Sequence, residues 1–127
     1  MRAKLITISV TLLLLAAISV TEQLAVRHVT QQALVEAHAI LSDIRQGTLA
    51  DAHEKAHALD EAWDRQAKLL EMMVDHRSTD DVRYALSRLI AALESGDSDD
   101  AMIYAGELEG GIEHVCERQA LTLENLL

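Results

Sequence analysis

The sequence has no proline and no phenylalanine, five glycines, and only three aromatic residues: Trp63, Tyr84 and Tyr104. So few breakers and β-formers exclude a sheet-rich fold and predict helix almost throughout. A single cysteine, Cys116, excludes an intramolecular disulfide. Basic residues are also scarce, with 11 Lys and Arg against 21 Asp and Glu, a net charge of -10. Arg2 and Lys4 precede the first apolar run, so residues 22–127 keep nine basic against 21 acidic residues, a net charge of -12. Such a surface repels polyanions and excludes nucleic acid as a partner. A length of 127 residues leaves room for one domain, or for an anchor and one small domain.

What is present begins with the N-terminus. Residues 5–20, LITISVTLLLLAAISV, carry no charge and follow a basic start. This is the pattern of a signal anchor or a secretory signal peptide. Sixteen helical residues rise about 24 Å, short of a hydrocarbon core of roughly 30 Å. Counting Ala3 to Thr21, with Lys4 snorkelling to the head groups, gives about 28 Å, enough for one pass. Cleavage after Ser19 is the alternative, because Ala17 and Ser19 are small where a peptidase inspects. A buried core helix is a third reading, which so short a chain can hardly accommodate. The expected organisation is an anchor over residues 1–21 and a helical domain over 22–127. The positive-inside tendency places that domain outside the cytoplasm.

Beyond residue 22 the apolar spacing is helical. Ala33, Ala37, Ile40 and Ile44 form one stripe; Leu49, Ala52, Ala56, Leu59, Trp63, Gln66, Leu70 and Met73 form a second. Val82, Leu86, Leu89 and Leu93 form a third, and Ala101, Ala105, Leu108, Ile112 and Val115 a fourth. Narrow stripes of this kind mark helices packed at shallow angles. Turns are expected at Gly47-Thr48, across His76 to Thr79, and at Gly96 to Ser98, with Thr48, Thr79 and Ser98 as helix caps. Asp80, Asp81, Asp99 and Asp100 would then sit at helix N-termini, where the dipole favours them. At an offset of 49 residues, Leu41, Ile44 and Gly47 align with Ile90, Leu93 and Gly96; Ala52, Ala56, Leu59 and Trp63 align with Ala101, Ala105, Leu108 and Ile112. Each unit reads as helix, glycine turn, helix. The fold class is therefore all-α: an N-terminal transmembrane helix continuing into a bundle of antiparallel helical hairpins. With little aromatic burial, the bundle is expected to be marginal alone, which motivates a protein partner or a homo-oligomer.

His53-Glu54-Lys55-Ala56-His57 spells H-E-x-x-H within the second stripe. Two histidines at i and i+4 can grip one zinc ion while the glutamate activates water. A zinc hydrolase also needs a third ligand, for which Glu71 and Asp75 are available on the same helix, and a cleft for substrate. Neither a metal nor another cofactor is expected, and His53 and His57 read first as half-exposed residues beside an alanine stripe. His28 and His38 are expected to face solvent, His76 to lie at a helix junction, and His114 at the boundary of the last helix. No phosphate-cradling glycine loop and no catalytic triad spacing occurs, and Cys116 reads as a packing residue.

Trp63, Asp75-His76, Asp80-Asp81, Leu86-x-Arg88-Leu89, Asp97-x-x-x-Ala101, Leu108, Glu113-His114 and the terminal Leu121-Thr-Leu-Glu-Asn-Leu126 follow one another in an order that resembles the bacterial family called domain of unknown function 4363. The resemblance covers the chain end to end. It implies an uncharacterised membrane-anchored helical protein of Gram-positive-type bacteria and brings no activity, cofactor or catalytic residue with it. Two departures stand out: His53 to His57, where the family has lysine- and glutamate-rich text, and Arg77 to Thr79, where it is acidic and hydrophobic.

The expected function is thus that of a non-enzymatic interaction or scaffold module on the bacterial cell membrane, single-pass with its C-terminal domain outside. Trp63, His76 and His114 are the expected interaction residues. A zinc-dependent hydrolase using His53, Glu54 and His57, and a secreted soluble regulator released near Ser19, are the alternatives.

Overall fold

A computed structural model of the chain describes residues 1–73 and 76–126, with the side chains of 72, 73, 122, 123, 125 and 126 excepted. Four helices account for nearly all of it: α1 Arg2–Gln46, α2 Leu49–Met73, α3 His76–Glu94 and α4 Ser98–Leu126. No strand occurs among the described residues. Consecutive helices pack together, α4 returns to pack on α1, and α2 barely touches α4, so the four close a ring around one core.

The stripes face that core. Ala37, Ile40, Ala52, Ala56, Leu70, Val82, Leu86, Leu89, Ala101, Ala105, Leu108, Ile112 and Val115 are all fully buried. One register differs from the sequence pattern: Ala67, not Gln66, joins Trp63 and Leu70 inside, and Gln66 is half-buried. At 3.6 residues per turn either position can close the stripe, and the amide takes the one that keeps water. Met73, the last position of that stripe, lies outside the residues whose side chains are described. Along α1 burial begins only at Gln23 and Val26. Every large apolar side chain from Leu5 to Val20 is at least half-exposed.

The two glycine turns are alike bond for bond. Gly47 (φ 82°) and Gly96 (φ 74°) hold the left-handed conformation that only glycine adopts without strain. Gly47 N–H donates to Ile44 O and Thr48 N–H to Asp43 O, while Gly96 N–H donates to Leu93 O and Asp97 N–H to Ala92 O. These partners all differ by the 49-residue offset, and the correspondence extends outward to Thr30 and Thr79, both buried.

The caps differ from expectation. The Thr48 hydroxyl donates back to Asp43 O, 3.0 Å, closing α1 instead of opening α2. α4 is capped by Asp97, whose Oδ1 accepts from Asp100 N–H at 3.0 Å, and not by Ser98. His76 to Thr79 is no turn: it is the first turn of α3, with Ser78 and Thr79 buried. Asp80 and Asp81 accordingly lie beyond the first turn, whereas Asp99 and Asp100 do occupy the first turn of α4.

Just past the exposed apolar stretch, a buried polar contact ties α4 to α1. Gln119 Nε2 donates to Gln23 O at 3.0 Å, and the Thr30 hydroxyl lies 3.2 Å from Gln119 Oε1. Gln119 is 3% exposed, so these bonds are made out of water. Gln119→Leu conserves volume but removes both bonds, and is expected to cost about 1–3 kcal/mol. Urea denaturation of the full chain in mild detergent measures it, and an unchanged midpoint would show that the contact carries no stability.

Candidate functional site

The histidines of the H-E-x-x-H segment lie in the second and third turns of α2, where their i, i+4 spacing stacks them on one side. Their rings meet edge to face, with centroids 4.9 Å apart. The structure adds a group the sequence reading missed. Glu94, the last residue of α3, places Oε1 3.3 Å from His53 Nε2. One ligand atom from each of His53, His57 and Glu94 lies within 4.8 Å of the other two. His53 is half-buried; His57 and Glu94 are exposed. Lys55, between the two histidines in sequence, is held elsewhere, its Nζ donating to Asp43 Oδ2 of α1 at 2.6 Å. That bond holds the Lys55 ammonium above the ordinary lysine range.

Glu71 pairs with His76, Oε2 to Nδ1 3.4 Å, and Asp75 lies outside the described residues. Nothing in the sequence spacing pointed to Glu94, because α2 and α3 bring the pair together across 41 residues. The glycine turns supplied the one usable signal, since both α2's start and α3's end adjoin them.

Trp63 does not form part of a surface. It is 1% exposed, and its Nε1–H donates to Thr79 O of α3 at 3.2 Å. The indole joins the apolar stripe that its spacing from Leu59 and Leu70 already marks. The interaction residue expected at Trp63 is thus a core residue. His76 and His114 are exposed, as are His28 and His38. His38 Nε2 stands 3.3 Å from Glu109 Oε1, with Glu113 one turn further along α4; these three form a second cluster of possible ligands. Cys116 is free and half-buried.

Asp60, one turn beyond His57 on α2, is held above the usual carboxylate range, first by partial burial and then by the charge of Asp64, against the pull of His57 and Arg83. A carboxyl whose pKa rises on folding destabilises the folded chain when ionised, so this cost is present at neutral pH. It disappears as the pH falls through the ordinary carboxylate range. Asp60→Asn should therefore stabilise the folded chain at pH 7, by less than about 1 kcal/mol for so solvated a group, and raise the thermal midpoint accordingly. The gain should vanish in acid. Melting curves at the two pH values test both parts; a substitution that destabilises at pH 7 contradicts the reading.

Among the described residues the protein is all-α, with four helices, and its long N-terminal helix has the length and composition to cross a membrane. Residues 20–126 match the model of a family described as a domain of unknown function (DUF4363), and the chain belongs to that family. No curated protein and no solved structure matches it.

Proposed function

We propose that this chain is a single-pass membrane protein of the bacterial cell surface, whose helical domain stands outside the cytoplasm and serves as a non-catalytic docking module. The observation that carries this reading is the change of character along α1. Its apolar residues 5–20 are exposed, with no neighbour to cover them, and the same unbroken helix enters the core from Gln23 onward. Water does not tolerate such a stretch and lipid does. Arg2 and Lys4 then mark the cytoplasmic end.

In this reading the helices form two antiparallel hairpins. The order of contacts within each pair supports it: Asp43 meets Lys55 beside the Gly47 turn while Ala33 and Ala62 line one groove further along, and Arg88 meets Glu107 while Gly111 lies against Val82. The domain offers an acidic surface, carrying His76 and His114, to a basic protein partner or a second copy. A charge of -12 keeps it from anionic lipid and nucleic acid.

The test uses a cysteine placed at exposed Ser87 in a Cys116→Ala background. Membrane-impermeant maleimide should label Ser87→Cys on intact cells, and crosslinking there should give a discrete adduct above the monomer. Labelling only after lysis contradicts the topology. Monomer alone after crosslinking at native expression contradicts the docking role.

A further inference from the structure

We propose that His53, His57 and Glu94 form a binding site for a divalent transition metal ion, of which zinc is the best fit, and that the ion clips α2 to α3. This inference goes beyond the docking role and is independent of where the domain resides.

The donor set comes first. Two imidazole nitrogens and one carboxylate oxygen suit a borderline ion such as zinc and do not suit calcium or magnesium, which take oxygen ligands. Geometry agrees. Metal–ligand bonds of about 2.0–2.2 Å in a tetrahedron put neighbouring ligand atoms roughly 3.3 Å apart. His53 Nε2 and Glu94 Oε1 are already 3.3 Å apart. All three ligand atoms lie within 4.8 Å of one another, so closing the set needs shifts of about 1.5 Å or less. His57 and Glu94, being exposed, can make those shifts by rotamer changes without disturbing the core. Lys55, between the two histidines in sequence, does not compete, because its amine is bonded to Asp43. Three protein ligands leave a fourth position for water or for a donor from a docked partner.

The place of the cluster says what the ion would do. His53 stands one turn after the Gly47 turn, and Glu94 closes α3 just before the Gly96 turn. The ion would therefore join the two helix pairs at the end where the Gly47 and Gly96 turns reverse the chain. In the metal-free chain the same two helices are held there by the His53–Glu94 contact, an exposed pair of the kind that contributes little by itself. Since a ligand bound only by the folded state stabilises it, zinc should raise the unfolding midpoint of the whole domain.

The second cluster, His38 with Glu109 and Glu113, makes a built-in control. It offers only one nitrogen, and its carboxylates lie on the neighbouring face formed by α1 and α4.

The experiment is calorimetric titration of zinc chloride into the chelator-stripped full chain in mild detergent, with melting curves in parallel. One equivalent of zinc should bind and raise the melting midpoint. His57→Ala and Glu94→Gln should each weaken binding by more than about tenfold, the lower bound for losing even an indirect support of a metal ligand. Both should abolish the zinc-dependent rise. His38→Ala should leave affinity and rise unchanged. Both tested positions are exposed, and helical circular dichroism without zinc shows that each variant is folded. Absence of saturable binding, binding indifferent to His57→Ala and Glu94→Gln, or loss of binding in His38→Ala each overturns the proposal.

Discussion

Trp63→Ala should remove a large part of the stability of the helical domain. The indole is 1% exposed and is the largest side chain in the core, so its loss leaves a cavity there that alanine cannot fill. Truncations of buried tryptophan cost about 3–5 kcal/mol, and domains of this size are stable by only about 5–15 kcal/mol. The substitution also removes the bond from Nε1–H to Thr79 O, which ties α2 to the first turn of α3. Trp63→Phe separates the two contributions: it keeps an aromatic ring in place and should cost about 1–2 kcal/mol, mainly for the lost hydrogen bond and the smaller volume. Thermal melts followed by circular dichroism read both. If Trp63→Ala melts within a degree or two of the parent, the indole is not seated in the core and the packing of α2 on α3 described above is wrong.

The same residue shows what the sequence could convey. Periodicity located every stripe, because a helix buries one face and that face must be apolar; Leu59, Trp63 and Leu70 were inside by spacing alone. Assigning Trp63 to a docking surface set its chemistry against its register, and register prevailed. The first turn of α3 was misread for a related reason. His76, Arg77, Ser78 and Thr79 have the composition of a turn, yet Thr79 is needed inside, where its carbonyl meets the indole, so tertiary packing keeps the segment helical. The caps differ each in its own way: Asp97 takes the place of Ser98, one residue away, the Thr48 hydroxyl turns back to α1, and Thr79 lies inside α3, because local hydrogen bonds compete on nearly equal terms. The glycine turns succeeded because a positive φ leaves little choice of residue. Glu94 and Gln119 could not be found from spacing. Their partners are 41 and 96 residues away, and only the packed helices bring them together. The metal cluster was thus half legible: its two histidines share one helix, and its carboxylate does not.

Leu13→Arg should detach the chain from the membrane while leaving the helical domain intact. Leu13 is 71% exposed and touches no part of the core, so the bundle has no stake in it. The lipid does. Leu13 lies near the middle of the span, about 12–15 Å from either end, too deep for an arginine to reach the head groups without distorting the bilayer. Arginine at the centre of an inserting helix costs about 2.5–3.5 kcal/mol, and a run already slightly shorter than the hydrocarbon core has no surplus apolar residues to absorb it. Under alkaline carbonate extraction the parent chain should stay with the membrane pellet and Leu13→Arg should move to the supernatant. Leu13→Ala should stay with the pellet. Melting midpoints of the parent and Leu13→Arg in detergent should agree, because burial starts ten residues later at Gln23. The competing fates of the segment give different results. A signal peptide cleaved after Ser19 leaves a mature chain lighter by nineteen residues and extractable in every variant. A helix packed into a soluble core shows a lower melting midpoint for Leu13→Arg and no membrane association in the parent.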